Sequence, residues 1–145
     1  MPRYFVKLAY DGTPFHGWQT QPNANTVQQE VNNALSIIIG QSAEVVGCGR
    51  TDTGVHASVY YLHFDSDEKQ NTSKLVTKLN GLLPQAIGAC EAYEVSPKSH
   101  ARFDATMRSY EYRIVRLKNP FEVKRAYQFR LPLDIQSMNF ASNYL

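Results

Sequence analysis

Cysteine is nearly absent from this chain of 145 residues: Cys48 and Cys90 stand far apart, and no C-x-x-C pair occurs. That argues against a disulfide scaffold and against a zinc ribbon, and it reads both thiols as small buried strand residues. Long apolar runs are missing too, since no stretch approaches the ~18 residues that span a bilayer, and no membrane partner is expected. The opening residues, Met1-Pro2-Arg3-Tyr4-Phe5-Val6, run directly into strand-like sequence, so no signal peptide is read and the expected setting is the reducing cytoplasm. Nor does one sign of charge dominate, with 15 basic and 13 acidic side chains leaving +2. That balance excludes neither a nucleic acid nor a small substrate. What is present is an ordinary globular mix, 43% hydrophobic and 12% aromatic, long enough to bury roughly two-thirds of its unfolded surface in a real core.

Arg3–Tyr10 alternates and is broken by Asp11-Gly12, a strand followed by a turn. Thr26-x-x-Gln29 fits a capping box that opens a helix carrying Val27, Val31, Leu35 and Ile38, and Gly40 stops it. Ala43–Gly47 reads as a short strand and Val55–Phe64 as a longer one. Asn71–Leu83 reads as a second amphipathic helix closed by Pro84, and Ile87–Val95 as another strand. The order strand, helix, strand, strand, helix, strand predicts a ferredoxin-like α+β fold: a four-stranded antiparallel sheet with both helices on one face. Two more strands, Met107–Leu117 and Glu122–Leu131, joined at Asn119-Pro120, are expected to form a hairpin extending that sheet. Residues 1–131 thus read as one domain. From Asp134 to Leu145 a helix begins with Ile135, Met138, Ala141 and Leu145 on one side and stops in mid-pattern, as the start of a helix leading to a second domain.

The small net charge hides an asymmetry. Between Lys98 and Arg130 there are nine basic residues and three acids, so this segment carries +6 and the remainder −4. Phe103, Tyr110, Tyr112, Phe121, Tyr127 and Phe129 are interleaved there. Basic side chains neutralise phosphates, and aromatic faces stack on unpaired bases, which fits a nucleic acid. A solvated hairpin whose aromatics face the core fits equally well.

The stretch from Gly49 to Ala57, Gly-Arg-Thr-Asp-Thr-Gly-Val-His-Ala, places one acid, Asp52, in a glycine-flanked loop between two strands. Such a loop holds a carboxylate at the edge of a cleft. Arg50, two residues earlier, is placed to pair with it and keep it ionised. On local chemistry alone an Asx turn, in which Asp52 bonds its own backbone, competes with any functional role. His16 and His56 have no companion ligands at metal spacing and read as structural. Trp18 reads as a packing anchor.

These nine residues resemble the catalytic-loop signature of the tRNA pseudouridine synthase A family, with Thr53 where alanine is usual. The segment Tyr10-Asp11-Gly12-Thr13-Pro14-Phe15-His16-Gly17-Trp18-Gln19 with Gln21-Pro22 is similar to the family's N-terminal block. Thr26-Val27-Gln28, Leu79-Asn80 with Leu83-Pro84, His100-Ala101-Arg102-Phe103 with Ala105, and Arg108-x-Tyr110-x-Tyr112-x-Ile114 resemble further blocks in family order. Members normally continue into a second half of similar size and fold, with the catalytic cleft between the halves. The resemblance therefore implies that the cleft is incomplete in this chain taken alone.

The resemblance implies isomerisation of uridine to pseudouridine in the anticodon stem-loop of tRNA, by a homodimer and without metal or organic cofactor. Asp52 corresponds to the nucleophile, attacking either uracil C6 or ribose C1′. An ionised carboxylate needs no separate base for that step. Arg50 is implied as its partner and as occupant of the space left by a flipped base. Tyr110 corresponds to the tyrosine that contacts uracil, whereas Tyr112 reads as a core residue. Arg102 fits either an RNA-backbone contact or a brace for the catalytic loop. Two other readings stand beside this one: a non-catalytic RNA-binding module with the same sheet, and a small-molecule enzyme on the same scaffold.

Overall fold

The computed structural model describes residues 1–144, and its order is β1 (Arg3–Tyr10), α1 (Val27–Ile39), β2 (Val46–Gly47), β3 (Ala57–Asp65), α2 (Thr72–Leu82), β4 (Ile87–Val95), β5 (Ile114–Val115), β6 (Tyr127–Gln128) and α3 (Ile135–Ser142). The chain divides into two compact units, Met1–Arg108 and a second from Ser109 onward.

In the first unit the strands lie in the order β2-β3-β1-β4, and each neighbouring pair is antiparallel. This is the expected ferredoxin-like α+β arrangement. The alternation of β1 sets its two faces. Tyr4, Val6, Leu8 and Tyr10 are buried, and Phe5, Lys7 and Ala9 between them are half-buried. Both helices pack into the core under the first of these faces, α1 through Val27, Val31 and Leu35, α2 through Leu75 and Leu79. Their ends follow the caps. The Gln29 N–H donates to the Thr26 hydroxyl and the Lys74 N–H to the Asn71 side chain, while Gly40 ends α1 in the left-handed region.

Two strand boundaries move. The expected strand over Ala43–Gly47 shrinks to Val46–Gly47 because side chains of α1 capture the residues before it. Ala43 donates its N–H to Ser36 Oγ (2.9 Å), Val45 donates to Asn32 Oδ1 (3.0 Å), and Gln28 Nε2 donates back to the Val45 carbonyl (2.9 Å). At β3, Val55 stays outside the strand because its N–H closes a turn onto the Asp52 carbonyl (3.1 Å).

The second unit corrects the expected hairpin. Only Ile114–Val115 and Tyr127–Gln128 pair, they run parallel, and they form a separate two-stranded sheet rather than an extension of the first. The cause is two successive turns where one was expected. Glu122 donates its N–H to the Asn119 carbonyl, and Arg125 and Ala126 then donate to the Glu122 carbonyl, so the chain reverses twice and returns in its original direction. Alternation before Ile114 is not rewarded by burial, since Tyr110 and Tyr112 are both 77% exposed. The core role expected for Tyr112 therefore does not hold, and of the two readings of the interleaved aromatics the core-facing one fails for Phe103, Tyr110, Tyr112, Phe121 and Tyr127, which are all exposed, while Phe129 is half-buried. Helix α3 begins as expected at Asp134, whose side chain accepts from the Ser137 N–H, and it buries none of its residues. Leu145, expected on the same helix face, lies outside the described residues.

Candidate active site

Residues 48–56 leave β2 and return into β3, and several backbone groups along this loop are engaged by its surroundings. Cys48 donates its N–H to the Tyr61 carbonyl (2.8 Å), and the Tyr60 hydroxyl donates to the Gly49 carbonyl. Trp18 donates its N–H to the Thr51 carbonyl (3.0 Å), and the hydroxyls of Tyr10 and Thr51 lie 2.9 Å apart. Gly54 donates to the Phe15 carbonyl (3.3 Å), and the Gly12 N–H donates to His56 Nδ1 (3.1 Å). Burial pushes the Tyr60 phenol far above its usual range, so it stays a neutral donor. Beneath the loop Trp18 is 1% exposed and lies 4.2 Å from the Tyr60 ring, the packing anchor expected of it.

The segment 11–18 approaches this loop so closely that side chains are excluded. A Cβ on Gly12 would stand 2.0 Å from the Val55 carbonyl oxygen, and one on Gly17 2.5 Å from that of Thr51.

Against this held backbone, the side chain of Asp52 is exposed and uncommitted. Among the described residues its carboxylate has no hydrogen-bond or ion-pair partner, and neither has the Arg50 guanidinium. The expected Arg50–Asp52 pair is therefore not formed, and the Asx turn that competed with it is not formed either. The turn at this point is made by the Asp52 backbone carbonyl alone.

A second loop, residues 100–104, lies in the same unit. The Ala101 N–H donates to His63 Nδ1 (3.1 Å), and the Arg102 and Phe103 N–H groups converge on His100 Nδ1 (3.2 and 3.3 Å). Phe103 stacks on His100 at 4.1 Å and is 76% exposed, with the exposed Arg102 guanidinium 6.0 Å from its ring. Among the described residues no three His, Cys, Asp or Glu are grouped so as to hold a metal ion, and no helix is long and apolar enough to cross a membrane.

The chain matches the tRNA pseudouridine synthase family over residues 8–104, a span holding both loops. It belongs to that family. Among curated relatives named tRNA pseudouridine synthase A, the Bacteroides fragilis protein is 48% identical over 97% of this chain and 56% of its own length. That of Bacteroides thetaiotaomicron is 46% identical over 100% of this chain and 54% of its own length. The Aquifex aeolicus protein is 38% identical over 94% of this chain and 57% of its own length. The chain thus spans a little over half the length of these relatives.

Within this pseudouridine synthase unit, Arg50, Asp52 and Arg102 fall inside the matched span, on two exposed loops. Tyr110 belongs to the second unit, outside any helix or strand. The His56 side chain has a structural contact, accepting from the Gly12 N–H, whereas the His16 side chain is exposed and only its backbone N–H is engaged, by the Asn25 carbonyl. The expected burial of the cysteines does not hold: Cys48 is half-buried at the start of the loop, just past β2, and Cys90 is exposed on β4. Sequence reasoning missed Tyr10, Thr51 and Tyr60 as supports of the loop. Their signal was present: a tyrosine on the inward face of a strand needs a partner for its hydroxyl, and the neighbouring loop offers one.

His63 provides a pH test of the 100–104 loop. Burial, with Arg3 and His100 nearby, lowers its pKa from 6.5 to about 4, against weaker opposing pull from Asp65 and Asp104. A folded pKa below the unfolded one means that stability is intact above pH 6.5 and is lost as pH falls toward 4. Between pH 7 and 4.5 the loss should be about 2 kcal/mol. His63→Asn, whose amide oxygen can still accept from Ala101, should flatten that slope in thermal melts. An unchanged slope would assign the pH dependence to other groups.

Proposed function

We propose that the protein isomerises uridine to pseudouridine in tRNA, with Asp52 as the nucleophile. The observation that carries this is the uncommitted Asp52 carboxylate on a loop whose backbone is otherwise held. A carboxylate with no internal partner is available as a nucleophile and needs no helper base for that step. In the displacement form its oxygen attacks ribose C1′ and uracil leaves with the N1 electron pair. The base turns, C5 attacks C1′, the carboxylate departs, and the C5 proton is lost to solvent while N1 takes one up. In the addition form the carboxylate adds first to uracil C6, the same two bonds are exchanged, and the carboxylate is then eliminated from C6 as C5 loses its proton. Neither form calls for a redox or group-transfer cofactor.

The target base must leave its stack, at a cost of a few kcal/mol that protein contacts offset. Arg50, free of internal partners, is suited to fill the vacated space, Arg102 to contact the RNA backbone, and Tyr110 to stack on uracil. Following the family resemblance, the substrate region is the anticodon stem-loop, and the working form is a cytoplasmic homodimer. Helix α3 then leads to a second domain, which fits relatives nearly twice as long. The test is to map pseudouridine, by its stable carbodiimide adduct, in tRNA transcripts treated with the full-length protein. New stops confined to the anticodon stem-loop support the reading. Binding without any new stop returns the protein to the class of RNA-binding modules.

The second unit supplies cations for this role. Arg116 and Arg130 line one open concavity of about 410 Å³, and among the described residues neither has an ion-pair partner. Each phosphate they neutralise releases counterions, so the double variant Arg116→Gln/Arg130→Gln should flatten the slope of log affinity against log salt by about 1.5–2. Titrations of tRNA at several ionic strengths read this directly, and an unchanged slope would remove both residues from the interface.

A further inference from the structure

The guanidinium of Arg108 spans the two loops of the candidate site. Its Nε and Nη2 donate to the Cys48 carbonyl (3.0 and 2.7 Å), and Nη2 also donates to the Arg102 carbonyl (2.9 Å). Cys48 is where the chain leaves β2 for the Asp52 loop, and Arg102 is the middle of the 100–104 loop. One rigid, planar donor group thus fastens both. The fit is close, because a Cβ on Gly49 would stand 3.2 Å from Nε. The 100–104 loop is in turn fixed to the sheet. Ala101 donates to His63 on β3, and Arg3 on β1 donates to the Ser99 carbonyl (2.8 Å) while it is paired with Asp65. Arg108 therefore continues a chain of polar contacts from β1 and β3 to the first residue of the Asp52 loop.

We infer that Arg108 is a positioning residue for the isomerisation. It holds the start of the Asp52 loop and the Arg102 loop as one body, so that the nucleophile and an RNA-contacting side chain keep a fixed separation. Its guanidinium is occupied by two backbone carbonyls and acts through Asp52, not on the substrate. This inference rests on the isomerase reading above. A nucleophile displaced by 1 Å loses on the order of 100-fold in rate, and a lysine cannot replace a planar fork that reaches two carbonyls at once.

The test uses the full-length protein with Arg108→Ala and Arg108→Lys, and it reads three quantities. Amide hydrogen exchange over residues 49–54 should rise about 10-fold or more in Arg108→Ala, as a local opening that was closed becomes populated. Single-turnover isomerisation at saturating enzyme should fall about 100-fold while tRNA affinity changes by less than about 2-fold. Arg108→Lys should lie between the two, and guanidinium ion added to Arg108→Ala should restore part of the rate. Unchanged loop exchange would overturn the inference. So would weakened affinity with an intact single-turnover rate, which would make Arg108 an RNA contact. If Arg108→Ala does not fold, the same comparison is made with Arg108→Lys, which keeps the charge. A wild-type protein that isomerises nothing refutes the isomerase reading, while the exchange comparison still decides whether Arg108 orders the loop.

Discussion

Asp52→Asn is expected to abolish isomerisation, lowering the single-turnover rate by at least about four orders of magnitude, while the protein melts within about 0.5 kcal/mol of wild type. The two halves of this expectation have separate grounds. The amide keeps the shape of the carboxylate but replaces one acceptor oxygen with an NH2 donor and carries no anionic electron pair to form the covalent bond. The carboxylate contributes nothing to the fold, because it is exposed and its side chain holds neither the turn nor Arg50. Chromatography of nucleosides from digested tRNA reads the first half and a thermal melt the second. A variant that melts far below wild type would mean that the loop depends on the Asp52 side chain, contrary to the network described here.

Gly17→Ala is expected to damage both stability and turnover. Gly17 sits at φ +82°, where an L side chain costs about 1–2 kcal/mol, and the added Cβ would also stand 2.5 Å from the Thr51 carbonyl oxygen. That carbonyl accepts from Trp18 and belongs to the residue before Asp52, so relief of the clash must move one or the other. We expect a loss of about 2–4 kcal/mol and, in the folded fraction, a fall in turnover on the order of 100-fold. Gly40→Ala separates the two causes. Gly40 has φ +70° but nothing within 4 Å of its Cβ position, so it should lose only the conformational term and leave turnover unchanged. Equal effects of the two substitutions on turnover would show that the contact between segment 11–18 and the loop does not position Asp52.

The sheet and its helices were legible because their signals are local. Alternation in Arg3–Tyr10, the Thr26 cap and Gly40 each specify geometry within a few residues of themselves. The hairpin over 107–131 was misread because alternation states that a chain is extended but not what it pairs with, and the second turn at Glu122–Ala126 carries no Gly or Pro. The short β2 was overestimated because Ser36, Asn32 and Gln28 act from α1 on a backbone several residues away. The same holds at the site. The position of Asp52 between glycines was visible in the sequence. Its freedom from Arg50 depends on how the loop between them is turned, and the hold of Tyr10, Tyr60 and Arg108 on that loop rests on contacts between residues distant in the chain.

The most direct measurement is tritium release from tRNA labelled at uracil C5, since joining C5 to ribose expels that hydrogen. Full-length wild type and Asp52→Asn would be compared at concentrations giving equal tRNA occupancy. Release by the wild type and none by Asp52→Asn is the predicted result. Release by both at similar rates would contradict the assignment of the nucleophile to the Asp52 loop.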